Sequence, residues 1–166
     1  MFKKVYFHIV LGIVNYILKG TRFFKLKRAL LRLIGISIGL NTKIVGPLYL
    51  RPINRLTIGS DSWIGRNFNI DGNGNVQIGD RCDIAPNLTI NTGGHEIGDS
   101  NRRAGVGLRT KTVIGNGTWI GTNVVIINGS TIGESVVVAA CSCIINDSPD
   151  NCLIAGVPAK FKKDLA

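Results

Sequence analysis

The stretch "TVIGNGTWIGTNVVIINGSTIGESVVVAACSCI", residues 112–144, decides the fold. Its aliphatic residues recur every six positions, at Ile114, Ile120, Ile126, Ile132, Val138 and Ile144. Four places after most of them stands a small or apolar residue: Thr118, Val124, Ser130, Val136 and Ser142. A glycine often follows directly, as at Gly115, Gly121 and Gly133. Two inward positions per six residues, with Gly or Asn near the corner, describe a short strand followed by a tight turn. Three such strands make one triangular coil of about 18 residues, and stacked coils pair as parallel strands about 4.8 Å apart.

Working outward, the same period runs through Ile38, Ile44 and Leu50, then Ile58, Ile64 and Ile70, then Ile78, Ile84 and Ile90. Thr42, Ser62 and Cys82 hold the small position in these hexads. The first three triads restart every 20 residues and the last two at 18. Five coils stand roughly 24 Å tall on the strand spacing.

Between Ile90 and Ile114 the hexads stop. The interruption, "NTGGHEIGDSNRRAGVGLRTKTV" at 91–113, carries His95, Arg102, Arg103, Arg109 and Lys111. A loop of this length in a repeat body is usually functional or disordered. A neutral imidazole is well matched to taking a proton from a hydroxyl at neutral pH. Guanidinium groups suit bidentate binding of carboxylate or phosphate, so Arg102 and Arg103 are candidates to contact an acidic acceptor. The plainer reading is a loop that needs charge to stay soluble.

With 166 residues the chain suits one domain with a real core. An apolar share of 45% excludes a disordered chain, and 21 glycines without a three-residue period exclude collagen. The net charge of +10 is uneven. Residues 1–37 hold eight Lys/Arg and no Asp/Glu, whereas the remainder holds twelve against ten. Such a head points to a polyanion or an anionic membrane surface. No RNA or DNA motif accompanies it, so nucleic acid is not expected. Cys82, Cys141, Cys143 and Cys152 form no CxxC pair and read as free thiols in a reducing compartment. No metal is expected: ligand spacing is absent, and the only histidines are His8 and His95.

The head begins with Lys3 and Lys4, then the apolar run "VYFHIVLGIVNYIL". No small-x-small cleavage site follows, and 14 residues with a His and an Asn are short for a membrane span. Lys4, His8, Gly12, Asn15, Lys19 and Arg22 step by three and four along one helical face. Lys25, Arg28 and Arg32 form a similar stripe opposite Phe24, Leu26, Leu30, Leu33 and Ile34. Two amphipathic basic helices are expected. They act either as a cap on the body or on a neighbouring subunit, or as an interfacial membrane anchor. Both readings stay open.

The body resembles the left-handed β-helix of hexapeptide-repeat acyltransferases. The stretch from "IGDRCDIAPNLTINTGGH" through "TVIGNGTWIGTNVVI" to "AGVPAK" is similar to the galactoside and maltose O-acetyltransferase branch. The likeness covers about residues 38–163 and is most specific from Ile78 to Lys160. "KLKRALLRLIGISIG" instead resembles the start of bacterial capsule and exopolysaccharide O-acetyltransferases.

The resemblance implies a mainly β fold: a left-handed parallel β-helix with an N-terminal α-helical segment and a protruding loop. Residues 1–35 form the basic helical segment, 36–155 the β-helix with its active-site loop 91–113, and 156–166 a basic tail. It implies acetyl transfer from acetyl-CoA to a sugar hydroxyl of a surface polysaccharide or its lipid-linked or nucleotide precursor. The setting is the bacterial cytoplasm or the inner face of its membrane. His95 of "TGGH" takes the family's catalytic position as general base in direct transfer. The N–H of Thr122 is the candidate for the developing oxyanion. Trp119 lies beside acceptor and coenzyme. Asn67 of "RNFNI" binds the acceptor, with Asn69 the near alternative. Ala140 and Ile145 serve the pantetheine arm, and Lys160 and Lys163 the phosphates. Active sites fall between the subunits of a homotrimer. Two rivals remain: N-acetylation of a nucleotide-linked amino sugar, and a β-helix scaffold without catalysis.

Overall fold

A computed structural model describes residues 2–53 and 55–165. The repeat folds as a left-handed parallel β-solenoid with three faces. Labelled in chain order, the first face stacks β1 (Ser37–Ile38), β4 (Arg55–Ile58), β7 (Asn75–Ile78), β12 (Lys111–Ile114) and β15 (Thr131–Ile132). The second stacks β2 (Lys43–Ile44), β5 (Trp63–Ile64), β8 (Asp83–Ile84), β13 (Trp119–Ile120), β16 (Val137–Val138) and β18 (Cys152–Gly156). The third stacks β3 (Leu48–Tyr49), β6 (Phe68–Asp71), β9 (Thr89–Asn91), β14 (Val125–Ile126) and β17 (Cys143–Ile144). The expected five coils are complete. A sixth begins where Ser148 bridges Ile132, and it reaches the second face at β18.

The register explains the six-residue period. Ile38, Ile58, Ile78, Ile114 and Ile132 pair in one column, and Ile44, Ile64, Ile84, Ile120, Val138 and Ile154 in another. All are buried. Each fully buried aliphatic side chain is worth about 1.5–3 kcal/mol of transfer free energy. The small inward residues have a different task. Thr42, Ser62, Cys82 and Thr118 donate to the carbonyls of Gly59, Gly79, Gly115 and Gly133 at 2.6–3.2 Å. Thr42, Ser62 and Thr118 also accept the N–H of Ser62, Cys82 and Val136. Corner backbone that would be orphaned inside the coil is thereby satisfied. Burial pushes the Cys82 thiol up, which suits a packing residue.

The strand spacing of six is kept on every face. Eight residues separate Leu50 from Ile58 and Ile70 from Ile78, and 24 separate Ile90 from Ile114. These three departures, and the four-residue step from Ile144 to Ser148, all fall at one corner, between the third face and the first.

The head closes the open end of the first coil. It comprises α1 (Phe2–Gly12), a π-turn at Ile13–Ile17, and α2 (Phe24–Leu33). The first coil has no coil below it, so its edge groups need other partners. Lys27, fully buried, donates to the carbonyls of Gly20, Ile44 and Val45 at 2.5, 2.9 and 3.0 Å. Arg28 Nη1 donates to Thr42 O at 2.8 Å, and Arg32 donates to Ile38 O. Spacing alone places Asn15 on the polar stripe of the first helix. It is instead buried, donating to Leu48 O at 2.7 Å and accepting Leu48 N–H at 2.9 Å. Asn15 lines the same cleft as His8 and Gly12, so this part of the stripe faces the solenoid. The cap thus meets the edge of all three faces.

At the other end the basic segment folds back. β19 (Ala159–Asp164) pairs antiparallel with β18 along the edge of the second face.

Candidate active site

The third-to-first corner of the third coil opens into an antiparallel hairpin of β10 (Gly93–Ile97) and β11 (Ala104–Arg109). The coil resumes at Lys111. Turn glycines in the coils on either side make room for its root. A Cβ on Gly74 would overlap the carbonyl oxygen of Thr110, and one on Gly129 would meet the Thr110 side chain. At the tip Asp99 Oδ1 accepts the N–H groups of Asn101 and Arg102 at 2.9 and 3.1 Å. This local turn holds the tip without help from the body.

His95 pairs with Gly107 and is exposed, and a break in register follows it at Glu96. Its Nδ1 lies 2.9 Å from the carbonyl oxygen of Gly105. A carbonyl only accepts, so Nδ1 carries a proton, and whenever the ring is neutral Nε2 is the nitrogen with the free lone pair. The hairpin backbone therefore holds the orientation of the ring and favours one tautomer. Arg102 lines a cleft at the hairpin tip with Asp99, Gly105 and Val106. Arg103 Nη1 reaches Gly98 O at 3.3 Å.

A second cleft, of about 490 Å³, lies between α1 and the outer side of the third face. Its polar lining comes from His8, Tyr16, Tyr49, Arg51, Asn69 and Asp71. Arg51 pairs with Asp71 at 2.9 Å. Asp71 also sits under the hairpin root, its carbonyl accepting Thr92 N–H at 2.9 Å. Aromatic rings beside an amide, a carboxylate and a guanidinium offer the mixed surface that a sugar requires.

Sequence reasoning missed this cleft, Asn69 excepted. The signal was present, because Arg51 and Asp71 are 20 residues apart, as are Tyr49 and Asn69, one coil in this part of the chain. Asn67 occupies a different place. It holds a positive φ of 57° at the second-to-third corner. Its Nδ2 donates to Asn87 Oδ1, and Asn87 Nδ2 to Asn123 Oδ1, both at 2.8 Å. This is an amide ladder that braces the corner, and Asn69 is the one of the pair that faces a cleft.

The remaining candidates lie elsewhere on the prism. In the outer row of the second face Lys43, Trp63, Asp83, Trp119, Val137, Leu153 and Lys163 align in register. Trp119 is 56% exposed and shares a shallow cleft with Trp63, Asp83 and Ala85. Lys160 pairs with Ala155 and Lys163 with Leu153; an irregularity between Leu153 and Ile154 brings these two lysines, three apart, to one side of the sheet. Thr122 and Ala140 occupy the second-to-third corner in neighbouring coils, where Thr122 O accepts Cys141 N–H at 2.9 Å and Thr122 Oγ1 donates to Pro86 O at 2.9 Å. Ile145 lies across the third face, just past β17.

One chain therefore brings Trp119, Thr122, Ala140, Lys160 and Lys163 toward one side. His95 stands at the corner opposite the second face. Among the described residues no group of three His, Cys, Asp or Glu side chains could hold a metal ion.

A family profile described as bacterial transferase hexapeptide (six repeats) matches residues 111–146. The galactoside O-acetyltransferase of Escherichia coli K12 is 32% identical over 84% of this chain and 68% of its own length. A protein of the same organism, provisionally named as a colanic acid biosynthesis acetyltransferase, is 31% identical over 82% of this chain and 73% of its own. The structure of a hexapeptide-repeat acetyltransferase of Vibrio cholerae complexed with acetyl coenzyme A superimposes with a TM-score of 0.83. It is 27% identical and covers 99% of this chain and 87% of that one.

Proposed function

Because the chain belongs to the hexapeptide-repeat acetyltransferase family, we propose that it acetylates a sugar hydroxyl of a bacterial surface polysaccharide, or of its lipid-linked or nucleotide precursor, using acetyl-CoA. The observation that carries this reading is the Nδ1–Gly105 hydrogen bond of His95, which leaves Nε2 as an oriented base on an exposed hairpin. The acceptor proton passes to Nε2 while the acceptor oxygen attacks the thioester carbon. The C–O bond forms, the C–S bond breaks, and the imidazolium returns its proton to the departing thiolate. No acyl-enzyme is needed. Charge that develops on the thioester oxygen calls for a backbone donor, and Thr122 N–H is our candidate.

The acceptor lies in the cleft of Tyr49, Asn69 and Asp71 below the hairpin, with Arg102 and Arg103 reaching acidic substituents. The donor lies along the side that carries Trp119, Thr122 and Ala140, its phosphates met by Lys160 and Lys163; Ile145, across the third face, is the further candidate for its pantetheine arm. His95 and Trp119 face opposite ways in one chain, which supports a homotrimer in which the hairpin of one copy reaches the donor groove of the next. Exposed Ile97, Val106 and Leu108 on the hairpin are the apolar surface that such a contact would cover.

Transfer of labelled acetyl from acetyl-CoA to a panel of bacterial glycans and nucleotide sugars tests the reading, with wild type and His95→Ala run side by side. An alkali-labile product that the variant fails to make is expected. An alkali-stable product would mean an amino-group acceptor and would overturn O-acetylation.

A further inference from the structure

Helix α1 is apolar on both sides but packed on one. Phe7, Leu11 and Val14 join the core at the base of the solenoid, and Val10 is buried as well. Val5, Tyr6 and Ile9 point away and are about half exposed, and Tyr16 and Ile17 are more than 70% exposed. Large apolar side chains gathered on one exposed side mark an interaction surface. Here the outer side is bare, and Phe23, Leu26 and Leu33 of the same head are exposed too.

Charge says what covers it. Residues 1–60 contain eleven Lys/Arg, and the first acidic residue of the chain is Asp61. Lys27, Arg28 and Arg32 are committed to the carbonyls of the first coil. Lys4, Lys19, Arg22 and Lys25 of the same head are exposed. A second copy meeting this end base to base would set cations against cations with no carboxylate on either head. An anionic bilayer supplies both missing partners, acyl chains for the aliphatics and lipid phosphates for the cations. No helix among the described residues is long and apolar enough to cross a membrane, so the contact is interfacial.

We infer that the base of the solenoid docks on an anionic lipid surface, with α1 in the interface plane and Ile9 and Ile17 embedded. The hairpin then stands two coils above the base, roughly 10 Å, plus about 10 Å for the helix layer. His95 faces the zone just outside the headgroups. If the acceptor is lipid-linked, its saccharide meets the base there without leaving the membrane. That last step rests on the proposed function; the docking does not.

The test is co-sedimentation of the full chain with phosphatidylcholine vesicles, with and without about one-third phosphatidylglycerol. Partitioning at least about tenfold stronger on the anionic vesicles is expected, falling as salt is raised. The Ile9→Glu/Ile17→Glu variant should lose most of it and keep wild-type circular dichroism. The Lys19→Glu/Arg22→Glu variant should lose the preference for anionic lipid. Acetyl transfer to a soluble acceptor should be unchanged in both, so a failure of docking is separable from a failure of the catalytic reading. Equal partitioning on both vesicles, or none, overturns the inference. So does self-association that Ile9→Glu/Ile17→Glu abolishes without any vesicle binding by wild type, since the face would then be a contact between copies.

Discussion

Cationic side chains crowd two regions of this chain and do different work in each. At the base Lys27, Arg28 and Arg32 turn inward onto backbone carbonyls that no lower coil can pair. On the hairpin Arg102, Arg103 and Arg109 are exposed, and the bonds of Arg103 and Arg109 are long, 3.3 Å to Gly98 O and to Asn75 Oδ1. The same residue types close an edge in one place and face solvent in the other. The difference lies in what the local backbone leaves unsatisfied. A terminal coil exposes a row of acceptors, whereas a hairpin satisfies its own and leaves its side chains to a ligand. Stability should therefore be concentrated at the base and turnover at the hairpin.

The largest expected effect tests the hairpin half. His95→Ala should lower kcat by about 10²–10⁴-fold, the usual contribution of a general base. Its melting temperature should stay at the wild-type value, because the ring is exposed and bonds only within the hairpin. Mixing His95→Ala with Trp119→Ala subunits should restore part of the activity if each site draws on two copies. A His95→Ala protein that is destabilised, or still active, would erase the distinction between the regions.

The base half is tested by Lys27→Met. Three carbonyls lose their donor, and a buried acceptor left unpaired costs about 1–3 kcal/mol. A loss of about 3 kcal/mol in urea or thermal unfolding is expected, with normal kcat in the fraction that remains folded. The pH dependence has a definite sign. Desolvation holds the Lys27 pKa below its ordinary 10.5, so the unfolded chain binds more protons in the window beneath that value. Stability rises with pH wherever the unfolded state binds more protons, so the advantage of wild type over Lys27→Met should grow as pH climbs toward the ordinary lysine value of 10.5. A constant gap would mean that the ammonium is not desolvated.

The solenoid was legible because its core is periodic. Ile38 to Ile144 repeat by six wherever a face continues, and every departure from six lands on one corner. That corner could be found from the sequence, and with it His95. The cap was not readable in the same way. Asn15 sits on a polar stripe at 3.6 residues per turn, yet it is buried and bonds the Leu48 backbone. Lys27 lies in a run of cations and gives no sign that its amine is buried. Spacing within a helix does not report which neighbouring edge lacks partners. The cleft of Arg51, Asn69 and Asp71 fell between these cases. Its residues are aligned by the 20-residue coil, but on the outer side, where no hydrophobic pattern draws attention to them.

The smallest expected effect asks whether the hairpin cations select the acceptor. Arg102 and Arg103 follow the Asp99 turn, which holds their backbone while leaving the guanidinium groups at the surface. Exposed ion pairs are worth about 0.2–1 kcal/mol each. Arg102→Ala with Arg103→Ala should therefore raise the apparent KM for an acidic glycan by several-fold and leave a neutral acceptor unaffected. kcat and melting temperature should not move. Screening makes the difference salt-dependent, so added salt should bring wild type toward the variant. An equal KM for acidic and neutral acceptors in wild type would assign these arginines to solubility. The functional contrast between hairpin and base would then rest on His95 alone.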